Sequence, residues 1–445
     1  MAGPAAPMWE HRSVTGTTAE LLLRGGALVL GIVIFIVAVL SIIRTMVVPR
    51  ATSSWLAASV SQAVVLSVRA VAATRRTFPA RESVLAWAGP LIILFQMIVW
   101  LLLFLLAYGL MIFGVGTLDF GDSMRESGSS LFTLGFASIN TESQTIIDFM
   151  AAATGPIVIA LLIGFLPTIY SIYLDRETDV TQMSTMGGEP AWGPELLCRL
   201  SVSGAITTLP ELCASWTDWT TRIRLTHVNY PMLLRVRSTR STRNFVLALL
   251  TMGDAAALYL SLTTTKPRKE AFSLLLAGDQ TLEVLFVYLH SPRTSLRNRT
   301  IEPHVNVGDV HALRTVKHLP PWNRRFLATQ LASDIDILRG LDAKTVSRLR
   351  VGERGGTTLT RADFDQAVDL LRRAHFPIEV DIDEAWEQFR LARSRYEFAA
   401  FGLCHELDVT PAPWSGTRRF KTQVHWPTHV VDVLDELGDD EEPQQ

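Results

Sequence analysis

Two long charge-free runs limit what this chain can fold into. Residues 84–115 carry no charged side chain in 32 positions, and residues 149–174 carry none in 26. About 20 consecutive apolar residues cross the hydrocarbon core of a bilayer as an α-helix. We therefore predict that both runs are transmembrane helices and that the chain is an integral membrane protein.

The segment between these runs, residues 119–140, reads DFGDSMRESGSSLFTLGFASIN. Asp119 and Asp122 are candidate N-caps of a short polar helix, predicted over residues 122–131. A half-length helix followed by extended backbone is the layout of a re-entrant pore loop. Non-helical backbone at membrane depth survives only where it is buried in protein or lines a water-filled path. The alternative is an ordinary extracellular hairpin loop.

Within that segment, residues 132–136 read FTLGF between two predicted spanning helices. This placement resembles the pore helix and selectivity filter of the potassium channel superfamily, whose signature TVGYG also occurs in TIGFG-like forms. The resemblance covers roughly residues 84–176. It implies that the backbone carbonyls of Thr133, Leu134, Gly135 and Phe136 bind a permeant cation. The implied ion is K⁺, with Na⁺ as the alternative, and no cofactor or resident metal is expected.

The resemblance has two further consequences. Because one chain supplies one loop, four copies are needed to surround an axis, and a homotetramer with cyclic symmetry is implied. The family's filter usually ends in Gly-Asp, whereas this chain has Ala137-Ser138. Glycine adopts positive φ freely, but an L-residue there costs about 1–2 kcal/mol. Either Ala137 adopts another backbone angle and the outer filter widens, or the packing around it must offset this cost. Selectivity between K⁺ and Na⁺ is therefore left open.

The arginines predict an orientation. Residues 44–81 contain six arginines, residues 116–145 contain only Arg125, and arginines return after residue 175. The positive-inside rule places the first and last of these regions in the cytoplasm. The apolar run at 21–49 contains Arg44 near its end and is followed by Arg50 rather than by a cleavage site, so we interpret it as a retained helix. A topology with three spans, the N-terminus outside the cell membrane and the C-terminal domain in the cytoplasm agrees with the arginine content of every connecting segment.

Residues 55–73 have an apolar stripe at helical spacing that includes Leu56, Val60 and Val64. A fourth span would invert the following helices against the distribution of arginines. We therefore predict a helix in the plane of the cytoplasmic membrane surface within the linker 50–83. The outer pore helix is preceded by such a helix in many two-helix channels that this chain resembles.

The last predicted span carries two groups of candidate functional residues. Fourfold repetition of Glu142 and Asp148 would concentrate cations at an outer mouth, although ordinary surface charge explains them equally well. Proline removes a backbone hydrogen bond and usually kinks a helix. The candidate residues for a gating hinge are Gly155, Pro156, Gly164 and Pro167. The alternative is that Gly and Pro are simply frequent in membrane helices.

Beyond residue 176 the chain reads as a large helical cytosolic domain. Charged residues make up 19% of the chain and concentrate there, while the net charge of −2 gives no indication of nucleic-acid binding. We predict a helical domain over 177–350, a hinge at Val351–Gly356, a helical subdomain over 351–431 and an acidic tail over 432–445. Residues 1–20 are predicted to be disordered, and 84–176 form the pore module.

Two features of the cytosolic domain resemble membrane elements. Residues 245–262 are apolar enough to span, but Asp254 at their centre would cost about 3 kcal/mol in lipid. We therefore predict a helix buried in the domain. Six arginines between residues 222 and 243 are candidates for binding anionic lipid headgroups; an intersubunit or solvated salt-bridging surface is the alternative. They are Arg222, Arg224, Arg235, Arg237, Arg240 and Arg243.

The remaining motifs point away from an enzyme. The three cysteines, Cys198, Cys213 and Cys404, lack CxxC spacing and are interpreted as free cytosolic thiols. There is no GxGxxG, P-loop, HExxH or EF-hand pattern. The predicted fold is thus mainly α, with three transmembrane helices, one re-entrant loop and a helical cytosolic domain. Passive cation conduction is the favoured function, and a membrane-anchored scaffold or sensor that binds a partner is the alternative.

Overall fold

A computed structural model describes residues 14–47, 54–136, 142–264, 268–290, 357–418 and 429–433. Within these ranges the chain is mainly helical and contains no β-strand, which confirms the predicted mainly α class. The chain divides into two compact units. The first comprises Met1–Val64 and Leu91–Thr168, and the second comprises Val65–Pro90 and Ile169–Gln445.

Among the described residues, six helices precede residue 188. They are α1 (Val14–Ile42), α2 (Trp55–Ala73), α3 (Phe78–Leu85), α4 (Ala88–Val115), α5 (Phe120–Leu131) and α6 (Glu142–Gly187), and a π-helical turn, Ile43–Val47, follows α1. Helix α1 starts before the predicted position 21, because the polar residues ahead of the apolar run continue the helix. Glu20 and Arg24 form an i,i+4 ion pair of 3.3 Å there, which favours helix in this turn.

The rest of the described chain is also helical. It contains α7 (Gly193–Val202), α8 (Leu209–Asn229), α9 (Phe245–Leu262), α10 (Arg268–His290), α11 (Arg361–Arg373) and α12 (Ile382–Glu406). Short 3₁₀ turns lie at Ala205–Thr208 and Pro231–Arg235. Helix α11 begins with a capping box between Thr360 and Asp363. The predicted hinge at Val351–Gly356 lies outside the described residues.

The first unit is held together by aromatic and small residues between α1 and α4. The rings of Phe35, Phe104 and Tyr108 lie with centroids 5.6–6.3 Å apart, a favourable range for aromatic pairs. A Cβ added at Gly31 would lie 2.7 Å from the Ala107 carbonyl oxygen of the facing helix. Such close backbone approach through small residues is typical of helix packing in membranes.

Large apolar surfaces of the first unit remain uncovered within one chain. Only 22% of the most apolar stretch of Thr18–Val47 is buried, and the corresponding share is 17% in α6. Soluble monomers rarely expose contiguous apolar surface of this extent. The apolar helices therefore agree with membrane association. By length and composition α1, α2, α3–α4, α6 and α9 could each cross a bilayer, so the number of spans stays a prediction.

Helix α9 is covered on all sides within the second unit. All 18 of its residues are buried, and α7, α8, α10 and α12 contact it. Asp254 at its centre accepts hydrogen bonds from the Arg393 guanidinium and, at 2.7 Å, from the Tyr396 hydroxyl. A buried charge needs such a partner. The prediction that residues 245–262 form an interior helix is therefore confirmed, with the same bounds.

Helix α6 continues past the predicted end of the pore module at residue 176 and ends at Gly187. The buried guanidinium of Arg176 donates to the Leu233 and Val236 carbonyl oxygens at 3.0 and 2.9 Å. It also pairs with Glu177 at 2.8 Å. These bonds tie the C-terminal part of α6 to the turn that follows α8 within the second unit.

Candidate functional site

The candidate site begins with the amphipathic helix α5 of the first unit. The side chain of Asp119 caps it by accepting a hydrogen bond of 2.7 Å from the Asp122 backbone N–H. Of the two predicted caps, Asp119 is therefore correct, and Asp122 instead lies in the first turn, where its charge favours the positive helix end. The buried residues of α5 are Ser123, Glu126, Ser127, Ser129, Ser130 and Leu131.

The backbone after α5 folds back onto Ser129. The N–H groups of Leu134 and Gly135 donate to the Ser129 carbonyl oxygen at 2.7 and 3.4 Å. The N–H of Phe136 donates to the Ser129 hydroxyl at 3.1 Å. Three consecutive peptide N–H groups thus point to one residue, a convergence that an extended strand cannot make because its successive peptides alternate in direction.

This convergence fixes the direction of three carbonyl groups. In a trans peptide the C=O points opposite to the N–H of the next residue. The carbonyls of Thr133, Leu134 and Gly135 therefore all point away from Ser129. Among the described residues, none donates a hydrogen bond to these three oxygens. The result is a row of carbonyl oxygens along one side of the segment.

Alternating backbone conformation produces this row. Thr133 has φ 54° and Gly135 has φ 69°, both in the left-handed region. Glycine reaches that region at little cost, whereas a β-branched threonine there is a strained outlier. Backbone strain of this kind costs of order 1–3 kcal/mol and is concentrated at functional sites. The strain at Thr133 therefore marks the segment as a candidate site.

The side chains of this segment are exposed within one chain. Phe132, Leu134 and Phe136 have relative exposures of 45%, 62% and 57%. The Arg125 guanidinium lies 5.4 Å from the centroid of the Phe136 ring, within the range of a cation–π contact. The predicted fifth filter residue, Ala137, lies outside the described residues.

Helix α6 approaches the end of α5 closely at Gly155. A Cβ added at Gly155 would lie under 3.0 Å from the Leu131 carbonyl oxygen and 3.1 Å from its carbonyl carbon. A Cβ added at Gly164 would meet nothing within 4 Å. The absence of a side chain at Gly155 thus allows α6 to approach the end of α5 this closely. Pro156 and Pro167 lie inside α6, which is a continuous helix, and a hinge at any of these residues stays a prediction.

The two acids of the predicted outer mouth have different surroundings. Glu142 is the exposed first residue of α6. Asp148 is half-buried, and its carboxylate accepts a hydrogen bond from the Ser130 hydroxyl on the last turn of α5. The Asp148 side chain thus contacts α5 directly, and the role of both acids in concentrating cations stays a prediction.

Two site residues were not predicted. Ser129 receives three backbone N–H groups through its carbonyl and hydroxyl oxygens, but nothing distinguishes it within the sequence Ser127-Gly128-Ser129-Ser130. Arg24 on α1 donates to the Phe113 and Gly116 carbonyl oxygens at 2.9 and 2.6 Å. It therefore caps the C-terminal end of α4 just before α5. The sequence did offer one signal for Arg24, because a charged residue inside an apolar run usually has a specific partner.

The six arginines predicted to bind lipid are dispersed in the second unit and contact protein groups. Arg222 pairs with Asp179 at 3.8 Å, and Arg224 donates to Gln280 at 2.7 Å. Arg235 and Arg237 donate to backbone carbonyls of residues 406–408, and Arg240 and Arg243 pair with Glu189. These partners favour the salt-bridging alternative, and lipid binding stays a prediction.

The cysteines are buried free thiols. Burial, with a smaller effect of Glu195, raises the pKa of Cys198 to about 12. Burial and Glu270 likewise raise the pKa of Cys213 to about 12. Both thiols are therefore protonated and unreactive at neutral pH. Within the described parts of the chain, no three His, Cys, Asp or Glu side chains are grouped so that they could hold a metal ion.

No family model, curated protein or solved structure matches this chain. These comparisons therefore do not identify it as a member of the potassium channel superfamily. The functional interpretation rests on the geometry of residues 119–136 and the helices around them.

Proposed function

We propose that this protein is a passive cation channel in which residues 133–136 line the ion path. The row of carbonyl oxygens on Thr133, Leu134 and Gly135 carries the proposal. A cation that enters a narrow path must lose water, and carbonyl oxygens can replace its hydration shell. The N–H groups of Leu134, Gly135 and Phe136 all point to Ser129. The opposite side of this backbone therefore presents carbonyl oxygens, which attract cations. The C-terminal end of α5, which bears partial negative charge, adds to this preference.

The proposed assembly is a homotetramer. One row of carbonyls cannot surround an ion, whereas four rows related by cyclic symmetry can. The exposed apolar side chains of Phe132, Leu134 and Phe136 support this assembly, because neighbouring copies would cover them. The ion is proposed to be K⁺ or Na⁺, bound without any cofactor, and no catalytic reaction is involved.

The proposed topology has three spans in the cell membrane, formed by α1, α4 and α6. Helix α2 would lie in the plane of the cytoplasmic surface, and α5 with residues 132–136 would re-enter from outside. A protease site at the N-terminus should then be cleaved from outside intact cells, while one at the C-terminus should be protected. Finding both ends on the same side would exclude this topology.

Flux through purified protein in liposomes tests conduction. Gly135→Ala should abolish K⁺ and Na⁺ flux without preventing assembly. An added methyl group meets no atom within 4 Å, but an L-residue at this φ costs about 1–2 kcal/mol in each subunit. Relief of that strain would rotate the Leu134 and Gly135 carbonyls out of the row. Gly278→Ala is the matched control, because it adds the same methyl group to α10, where a Cβ also meets nothing within 4 Å.

Mass measurement in nanodiscs separates the channel from the alternative. A membrane-anchored scaffold is compatible with a monomer or a dimer, whereas a pore built from one loop per chain requires four copies. A tetramer that conducts, and a Gly135→Ala tetramer that does not, would together support the proposal. Unchanged flux in an assembled Gly135→Ala protein would exclude residues 133–136 as the ion path.

A further inference from the structure

An arginine of α1 contacts the connection between α4 and α5 in the first unit. Arg24 lies within the apolar run of α1, and the relative exposure of its side chain is 18%. A charge in such a position needs hydrogen-bond acceptors, because burying it without them is costly. Its acceptors belong to residues 113–118, which end α4 and lead into α5. We call residues 113–118 the junction.

The acceptors are carbonyl groups on both sides of the end of α4. The Nη1 nitrogen of Arg24 donates to the carbonyl oxygens of Phe113 at 2.9 Å, Gly116 at 2.6 Å and Leu118 at 3.3 Å. The last carbonyls of an α-helix have no donor within the helix and carry partial negative charge. Leu118 directly precedes Asp119, the N-cap of α5. One side chain of α1 thus bridges the end of α4 and the start of α5.

Aromatic contacts connect the same three helices. The Arg24 guanidinium lies 4.7 Å from the centroid of the Phe113 ring, within the range of a cation–π contact. The Phe113 ring lies 6.0 Å from the ring of Phe120, the first residue of α5, with an interplanar angle of 85°. This edge-to-face arrangement is favourable for an aromatic pair. Arg24 therefore contacts the ring through which α4 and α5 pack together.

Close backbone packing fixes the position of Arg24 itself. A Cβ added at Gly114 would lie 2.7 Å from the Leu28 Cβ atom and 2.8 Å from the Arg24 carbonyl oxygen. Such an approach leaves α1 little freedom to slide along the end of α4. The Glu20 carboxylate, one turn earlier on α1, lies 3.3 Å from the Arg24 Nε atom. The guanidinium is thus held in place from both sides.

Helix α6 contacts the junction as well. A Cβ added at Gly116 would overlap the side-chain amide of Gln144, in the first turn of α6. Gly116 is also the residue whose carbonyl oxygen makes the shortest of the three bonds to Arg24. The junction is therefore confined by α1 and by α6, and α5 starts from it four residues after Gly116.

We propose that Arg24 is a positioning residue of the ion path, because it sets the direction of α5 and hence the location of the carbonyl row. Helix α5 has 12 residues, so it is about 18 Å long. A tilt of about 10° at its first turn would move its last turn by about 3 Å, comparable to the length of a hydrogen bond. Ser129 in that last turn holds the N–H groups of residues 134–136, and the carbonyl row would move with it. The inference rests on the proposed conduction, but the placement of α5 can be measured without any ion flux.

Hydrogen exchange in nanodiscs, read by mass spectrometry on the peptide 116–125, tests the placement. In this peptide the N–H groups of Asp122 and Ser123 donate to Asp119. Arg24→Gln should speed its exchange by roughly tenfold, because a hydrogen bond from a charged donor is worth about that factor. Arg44→Gln is the matched control, since it removes the same charge from an exposed position in the turn that follows α1.

The pattern of exchange separates positioning from a general structural role. We expect faster exchange in the peptide 116–125 and unchanged exchange in the peptides of α1 and α6. Acceleration throughout the first unit would mean that Arg24 only stabilises the fold, and it would overturn the proposal. Equal exchange of the peptide 116–125 in Arg24→Gln and Arg44→Gln would overturn it too.

Two glycine variants test the junction without changing any charge. Gly116→Ala should push the junction away from Gln144 and speed the exchange of the peptide 116–125. Gly121→Ala is its matched control, because a Cβ added there meets the Asp119 Oδ1 atom at 3.5 Å, an ordinary van der Waals contact. Equal exchange in the two glycine variants would mean that α5 does not follow the junction. That result would overturn the proposal even if Arg24→Gln failed to fold.

Cation flux in liposomes separates this inference from the proposed function. If the wild type conducts, Arg24→Gln should conduct several-fold less than Arg44→Gln in assemblies of equal mass. Equal flux in these two variants would overturn the role of Arg24 and leave the proposed function intact. If the wild type does not conduct, the proposed function fails, and the exchange data alone decide whether Arg24 positions α5.

Discussion

The contact between α6 and the end of α5 yields a sharp prediction, that Gly155→Ala and Gly164→Ala should have opposite effects. Both substitutions add one methyl group to the same helix. In the interior of a helix, replacing glycine by alanine stabilises by about 1 kcal/mol. At Gly164, where the added Cβ meets nothing within 4 Å, this gain should be observed. A melting temperature at or above that of the wild type is expected.

At Gly155 the cost of overpacking outweighs this gain in stability. The added Cβ would lie under 3.0 Å from the Leu131 carbonyl oxygen, and both atoms belong to rigid helical backbone. One of the two helices must therefore move. Overpacking of this kind costs about 1–3 kcal/mol, so the net change is a destabilisation of up to about 2 kcal/mol per chain. Displacement of Leu131 also moves Thr133, two residues later, and cation flux should fall.

Thermal unfolding of the two variants in nanodiscs, followed by flux in liposomes, checks both effects. Gly155→Ala should melt below the wild type and conduct less, while Gly164→Ala should melt no lower. Equal melting temperatures for the two variants would refute the close approach of Gly155 to Leu131. A Gly164→Ala protein with normal stability and altered flux would instead support a gating hinge at Gly164.

Three further predictions concern the second unit and ion selectivity. Asp254→Asn removes a carboxylate from the buried Arg393 and should lower the free energy of unfolding by about 3–5 kcal/mol, measured by denaturant unfolding against the exposed control Asp383→Asn. Burial alone would raise the pKa of Glu195, but hydrogen bonds from His429 and Arg199 outweigh it and lower the pKa below 4.5. Its stabilisation is therefore complete above pH 4.5 and is lost as the pH falls through the lowered pKa, so Glu195→Gln should flatten the acid dependence of the melting temperature below that pH. If the protein conducts cations as proposed, the wild type should discriminate weakly between K⁺ and Na⁺, and Ala137→Gly with Ser138→Asp should move the bi-ionic reversal potential toward that of K⁺.

Patterns within single helices were predicted well from the sequence. Residues 55–73 and 245–262 were predicted with the bounds that α2 and α9 have, because each apolar stretch ends at clear polar residues. The predicted short helix at 122–131 agrees with α5 to within two residues, and its N-cap Asp119 was among the candidates. Local signals such as caps and charge boundaries suffice for these features, since they depend on neighbours in the chain.

Long-range partners could not be predicted. The six arginines from 222 to 243 are close in sequence, which suggested one basic surface. In the fold Arg237 reaches residues 407 and 408, some 170 positions away, while Arg243 turns to Glu189. Whether a charged side chain faces lipid or a buried carbonyl depends on tertiary packing. The convergence of N–H groups on Ser129 was inaccessible for the same reason.

The prediction of weak selectivity between K⁺ and Na⁺ depends on the alternating backbone conformation of residues 133–137. Left-handed residues at 133 and 135 keep successive carbonyls on one side, and continuing that register requires the same conformation at 137. At Thr133 the fold already holds a β-branched residue at φ 54°, at a cost that glycine would avoid. Packing around this segment can therefore impose positive φ on an L-residue. Strong K⁺ selectivity in the wild type would mean that Ala137 is held in the same way, whereas weak selectivity would mean that the row of carbonyls ends at Gly135.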